Sequence, residues 1–187
     1  MLEEILDIRN VQKALKQVTA NKGAGGIDGM QTDGLRDYLN NHWQDLRQSI
    51  LSGDYRPQAV RKVEIPKPAG GTRMLGIPTV KDRLIQQSIA QWLSPQYEGE
   101  FSNYSYGFRG GRNAHQAVMQ AQANLKEGYE WIIELDLEKF FDRVNHDRLM
   151  SLLAKKITAG TKINPPQWAY VMLTIKPTFF NTKTNQL

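Results

Sequence analysis

No cysteine occurs anywhere in the chain, so disulfides and thiolate metal sites are excluded and composition carries no redox signal. Only three histidines are present, His42, His115 and His146, and they stand far apart without metal-ligand spacing. No window approaches the eighteen or so consecutive apolar residues of a membrane span. The opening MLEEILDIRN is acidic and amphipathic, unlike a secretory signal. A cytoplasmic location without membrane attachment is the resulting expectation. One further lack is local: after Asp147 no acidic residue occurs, although six basic ones do.

What is present suits a folded domain. Of the 187 residues, 40% are hydrophobic and 23% charged, enough for a core within one domain or one and a half. The net charge of +5 is unevenly distributed. Residues 56–83 hold 7 basic and 2 acidic side chains, whereas residues 84–147 hold 5 and 9. A basic segment between mildly acidic ones suggests a polyanion-binding patch. A solvated lysine-rich face is the alternative on charge alone.

Hydrophobic spacing predicts a helix over 2–20 on Leu2, Ile5, Leu6, Val11, Leu15 and Val18. NKGAGGIDGMQTDG (21–34), with five glycines, is a loop. Leu35, Tyr38, Leu39, Trp43, Leu46 and Ile50 mark helical structure, with a candidate break near Asn40-Asn41 and an end at Ser52-Gly53. VRKVEIPKPAGGTRMLGIP (60–78) reads as a hairpin: Arg61, Val63 and Ile65 alternate with Lys62 and Glu64, and Pro-Lys-Pro-Ala-Gly-Gly supplies the turn. A helix is predicted over 80–93, and another after an Asn113 cap, carrying Ala114, Ala117, Val118, Ala121 and Leu125 and stopped at Gly128. Residues 130–137 form a predicted buried strand, with Trp131, Ile133, Leu135 and Leu137 on one face and Ile132, Glu134 and Asp136 on the other. A last helix runs from about His146 toward Ile157, and the final thirty residues lose amphipathic period.

Three features could carry chemistry. Asp136 ends an apolar strand, where a carboxylate and a neighbouring backbone carbonyl can hold magnesium together with substrate phosphates; starting a turn is its plainer role, with Asp142 or Asp147 capping the next helix. Lys67 and Arg73 flank the hairpin tip, with Arg61 and Lys62 upstream, and can grip phosphate or merely guard an exposed edge. SYGFRGGR (105–112) mixes aromatics, arginines and glycines, which suits single-stranded nucleic acid or a tight packed turn. The glycine loop is neither a P-loop, lacking Gly-Lys-Ser/Thr, nor a dinucleotide fingerprint.

Taken in order, NKGAGGIDGM, RKVEIPKPAGGTRMLGIPTVKDRLIQQSI, SYGFRGGRNAHQAV and WIIELDLEKFFDRVNHDRLMSLL resemble the reverse transcriptase encoded by bacterial group II introns. The resemblance runs from about residue 21 through Ile157. It implies an α+β fold, a right-hand polymerase with fingers over 1–130 and the start of the palm over 131–157, and no thumb. Residues 158–187 form a divergent tail. The implied reaction is RNA-templated DNA synthesis, with group II intron RNA as template, a DNA primer and dNTP as partners, and Mg²⁺ as cofactor. Asp136 matches a metal-binding aspartate, with the carbonyl of Leu137 in the same site. Lys67 and Arg73 match residues that hold the triphosphate, and Phe141 matches the aromatic that blocks a ribose 2′-hydroxyl. Gly23, Gly25 and Gly26 with Arg61, and Tyr106, Gly107, Phe108 and Arg109, match segments that touch template and primer.

The family's Tyr-x-Asp-Asp pair is missing, and no acidic residue follows Asp147 to supply it. Two cations about 3.5–4 Å apart are needed to stabilise attacking and leaving oxygens together, and one carboxylate cannot hold both. These residues alone are therefore expected not to polymerise DNA, as a truncated or frameshifted frame or a shortened fragment. The alternative is a non-catalytic, maturase-like RNA-binding module that keeps the basic fingers surface. The apolar run Tyr170–Ile175 is expected to cover palm surface or to drive self-association.

Overall fold

A computed structural model describes residues 1–68, 70–137 and 140–157, without the side chains of Phe141, Asp142 and Lys156. The expectations for the tail, for Tyr170–Ile175 and for the side chain of Phe141 lie outside the described residues. Helices and a two-stranded sheet make the structure a mixture of α and β. The chain divides into two compact units, Met1–Trp92 together with residues from Val144, and Leu93–Arg143.

In the first unit the predicted N-terminal helix is two helices, α1 (Leu2–Ile5) and α2 (Ile8–Ala20). Asp7 causes the break. Its backbone is extended (φ −60°, ψ 136°) and its carboxylate accepts from Arg9 N at 2.9 Å, capping α2. The helix α3 (Leu35–Ser52) runs unbroken through Asn40-Asn41, because Asn41 Nδ2 donates to Asp37 O at 2.9 Å and stays on the helix surface. It stops where the sequence indicates, at Gly53 with φ 80°. The helix α4 (Val80–Tyr97) exceeds its predicted end at 93 and includes Pro95.

Helical spacing converts directly into this unit's core. Ile5 and Leu6, then Val11, Ala14, Leu15 and Val18 of α2, are buried with Leu35, Leu39, Leu46 and Ile50 of α3 and Leu84, Ile85 and Ile89 of α4. Each fully buried aliphatic side chain contributes about 1.5–3 kcal/mol. Asn10 adds a polar link, donating to Ile5 O at 2.8 Å and Ser88 O at 2.9 Å while Gln91 Nε2 donates to its Oδ1 at 3.0 Å. The indole of Trp92 donates to Glu4 Oε2 at 2.9 Å.

Between α3 and α4 the predicted hairpin forms. Strands β1 (Arg61–Pro66) and β2 (Thr72–Ile77) pair antiparallel, with Arg61 opposite Ile77, Val63 opposite Leu75 and Ile65 opposite Arg73. The turn closes through Lys67 N to Gly71 O and Gly70 N to Lys67 O, both 3.0 Å. Gly70 and Gly71 take φ 91° and 79°, conformations open to glycine at little cost. Later in the chain α6 (His146–Ile157) forms as predicted. Its cap is not Asp147 but Asn145, whose Oδ1 accepts from Arg148 N at 2.9 Å, while the side chain of Asp142 lies outside the described residues.

The second unit departs from expectation. A 3₁₀ turn (Glu98–Glu100) leads to an ordered loop, and α5 (Ala114–Lys126) begins at the Asn113–Gln116 capping box. The cap and the Gly128 stop (φ 96°) agree with the sequence, yet α5 buries none of its residues, and Val118, Met119 and Leu125 are more than half exposed. Residues 131–137 are not a buried strand. They have no regular structure, and Trp131 and Leu135 are 94% and 90% exposed. The alternation is real, but a strand also requires a neighbour's backbone donors and acceptors. Among the described residues only β1 and β2 pair.

Candidate nucleotide and nucleic-acid interface

The hairpin register sorts its cations. Cross-strand partners share a face, so Arg61 and Arg73 lie on the face of Val63, Ile65, Leu75 and Ile77. Lys67 follows β1 at the turn. Arg61, Lys62, Lys67 and Arg73 are all exposed, and none forms an ion pair with a described residue. Their positive charge is available to a ligand.

The roots of this hairpin converge on one carboxylate. Asp82, in the first turn of α4 and 2% exposed, accepts from Tyr55 Oη at 2.6 Å, Thr79 Oγ1 at 2.6 Å and Gln58 N at 3.3 Å. Its own backbone N donates to Thr79 Oγ1 at 3.1 Å. A buried charge is tolerated when hydrogen bonds replace its hydration. Burial, reinforced by the adjacent Asp82 carboxylate, pushes the Tyr55 phenol far above the ordinary tyrosine range. It therefore remains a donor at physiological pH.

The same turn of α4 receives the glycine loop. A Cβ at Gly26 would lie 2.5 Å from Thr79 Cα and 2.7 Å from Thr79 N, so only glycine allows this approach. Gly25 N donates to Gln31 Oε1 at 3.2 Å, and Arg83 Nη2 donates to Ala24 O at 2.7 Å. At Gly23 an added Cβ would meet the Arg83 guanidinium at 2.5 Å. Lys81 Nζ lies 3.9 Å from Asp28 Oδ2 and 5.3 Å from the Tyr38 ring centroid. Gly25 and Gly26 are buried against their own chain, while Ile27 is 59% exposed at the loop's outer edge. Lys81, Asp82 and Arg83 thus hold the loop and the hairpin roots from three consecutive positions.

In the second unit Arg109 organises the aromatic loop from within. Its side chain is 7% exposed. Nη2 and Nε donate to Glu98 Oε1 at 2.7 and 3.0 Å, and Nη1 donates to Ser102 O and Ser105 O at 2.7 and 2.9 Å. The guanidinium also lies 5.3 Å from the Phe101 ring centroid. Phe108 is carried outward at φ 57° and is 70% exposed, beside the exposed Gly107. Tyr106 is half-buried beneath Arg112, whose Cζ lies 5.4 Å from its ring centroid.

Asp136 is exposed, and its Oδ1 accepts from the following backbone N, of Leu137, at 2.8 Å. Asp136 and Leu137 offer one carboxylate and one carbonyl. Among the described residues no three His, Asp or Glu side chains gather. This donor set does not fit a two-cation centre.

The structure therefore brings Lys67, Arg73 and Arg61 onto one ribbon and Gly23, Gly25 and Gly26 onto the turn that roots it. Tyr106, Gly107, Phe108, Arg109 and Asp136 belong to the other unit. Sequence reasoning missed Tyr55, Thr79, Asp82 and Arg83. A signal existed: Thr79-x-x-Asp82 before Leu84-Ile85 is a helix-start pattern.

Comparison with known proteins identifies the family. Residues 65–186 match the family described as reverse transcriptase (RNA-dependent DNA polymerase), and the chain belongs to that family. The match extends into the segment after 157 that motif comparison set apart. Protein YkfC of Escherichia coli (strain K12) is 37% identical over 152 residues, covering 78% of this chain and 40% of its own length. The uncharacterized 91 kDa protein in cob intron of Schizosaccharomyces pombe is 37% identical over 134 residues, covering 69% and 16%. Group II intron-encoded protein LtrA of Lactococcus lactis subsp. cremoris is 34% identical over 145 residues, covering 77% and 24%. Within its family, the chain is thus of the group II intron reverse transcriptase type. It spans less than half the length of these relatives. Divalent metal is general to the family.

Proposed function

We propose that the chain forms the fingers and opening palm of a right-hand, group II intron reverse transcriptase, and that it binds RNA and nucleotide without completing the polymerisation site. The observation that carries this reading is the hairpin, where four cations stand exposed on one two-stranded ribbon without carboxylate partners among the described residues. Arginine and lysine so placed bind phosphate oxygens, arginine in bidentate fashion. Lys67 and Arg73 grip the triphosphate of an incoming dNTP, and Arg61 meets the backbone of template or primer. Phe108 and Tyr106 offer stacking surfaces to unpaired bases, and Gly107 lets the backbone come close. Arg109 serves this surface by shaping the loop. Gly23, Gly25 and Gly26 let the loop around Ile27 sit beside the hairpin root, close to the template. Phe141 excludes a ribose 2′-hydroxyl.

Asp136 and the Leu137 carbonyl supply one corner of a Mg²⁺ site in this reading, and the remaining carboxylates are not among the 187 residues. Binding and catalysis are therefore separable here. Binding to a single-stranded RNA oligonucleotide, titrated against salt, tests the reading. The expected result is affinity that falls steeply with salt and drops further when Arg61, Lys67 and Arg73 are changed together to glutamine. Affinity indifferent to that triple change would overturn it.

A further inference from the structure

The hairpin has two covalent roots, the connector after α3 and the Pro78-Thr79 step into α4. No residue of either strand is fully buried, so packing of the ribbon fixes its direction only weakly. The roots are differently placed. On the outgoing side Asp54 N and Tyr55 N both donate to Ser49 O at 2.9 Å, and Arg56 Nη1 donates to Gly53 O at 2.7 Å. That connector is fastened to the end of α3. Two of its groups, Tyr55 Oη and Gln58 N, then reach Asp82. On the return side Thr79, fully buried, places its hydroxyl on the same carboxylate.

We propose that Asp82 is the positioning residue for Lys67 and Arg73. Its carboxylate ties the outgoing root to the return root, so the direction in which the hairpin presents its cations is set in the first turn of α4. The role of those cations toward a triphosphate rests on the function proposed above; the clamp itself does not. The divided carboxylate explains why one residue suffices. Oδ1 takes the Tyr55 hydroxyl, and Oδ2 takes Thr79 and Gln58. An asparagine would offer only one acceptor oxygen to the three donors. Loss of a single donor loosens one root while leaving in place the helical core, where Leu15, Leu35, Leu39 and Leu84 are buried on α2, α3 and α4.

The absence of cysteine gives a clean experiment. Spin labels at Thr72→Cys on β2 and Gln48→Cys on α3, both exposed positions of the same unit, report the hairpin's direction in the full chain. The expected result is one narrow distance population, which broadens or splits in Tyr55→Phe and in Asp82→Asn while helical circular dichroism is retained. If Asp82→Asn fails to fold, Tyr55→Phe, which removes one oxygen atom, decides. A lowered melting temperature with an unchanged distance population in the folded protein would overturn the proposal, because that is what a purely structural role produces. A separate titration with inorganic tripolyphosphate, read from the mobility of the label at position 72, separates the two claims. Broadened distances without a phosphate response in the parent would uphold the clamp and remove the triphosphate reading.

Discussion

Truncating Arg109 to alanine separates a residue that shapes a surface from one that touches a ligand. The change deletes the donors to Glu98 Oε1 and to the carbonyls of Ser102 and Ser105. Breaking a fully buried ion pair costs about 3–5 kcal/mol, but the Glu98 side chain is 43% exposed. Water takes over there, and the ionic share falls to about 1 kcal/mol or less. The two carbonyls lose charge-assisted bonds but also regain water, leaving about 0.5–1 kcal/mol each. The total is about 1–3 kcal/mol of local stability, or roughly 5- to 150-fold in the loop's opening equilibrium. Amide hydrogen exchange reads this at Ser105 N, bonded to Ser102 O at 3.0 Å, and at Arg112 N, bonded to Arg109 O at 3.3 Å. Both should exchange faster by about that factor. Arg109→Lys should fall between, since an ammonium lacks the planar fork. Exchange unchanged in the alanine variant, accompanied by lost RNA affinity, would refute the reasoning and make Arg109 a direct contact.

Other consequences are quicker to check. Gly26→Ala forces a methyl against the Thr79 backbone and should cost about 1–3 kcal/mol, seen as a lowered midpoint in chemical denaturation. The Tyr55 phenol, raised by burial and by Asp82, contributes stability that is fully present below about pH 10 and is lost as pH climbs above it, by about 1.4 kcal/mol per pH unit. Denaturation at several alkaline pH values should therefore show a shallower loss in Tyr55→Phe than in the parent. For RNA, each lost phosphate contact on a single strand lowers the salt slope by about 0.7, so changing Arg61, the hairpin cation assigned to the strand, to glutamine should flatten it by about 0.7.

How far the sequence could be read depended on whether a feature was closed within its own neighbourhood. The hairpin was legible to within a residue, because alternation, turn chemistry and pairing all lie between 60 and 78. So were the Gly53 stop, the Asn113 cap and α6, each a local signal. Asp7 shows a local signal overlooked: a cap-forming aspartate inside a continuous apolar pattern split one predicted helix into two. Residues 131–137 show the opposite case. Their pattern announces a strand, but strand formation is a property of a pair, and no partner lies among the described residues. The Asp82 knot was hidden for a different reason, since Tyr55 and Asp82 are 27 positions apart and meet only after the hairpin doubles back. Arg109 was legible as important but not in its manner, because charge predicts an outward arginine and burial turned it inward.

The central proposal is that these 187 residues carry the nucleic-acid- and nucleotide-binding surface of a reverse transcriptase without all the carboxylates of its metal centre. Primer extension on poly(rA)/oligo(dT) with dTTP and Mg²⁺, using the 187-residue chain and its Asp136→Ala variant, tests it most directly. The account predicts no incorporation by either protein above a protein-free control. Incorporation by the parent that disappears in Asp136→Ala would contradict it.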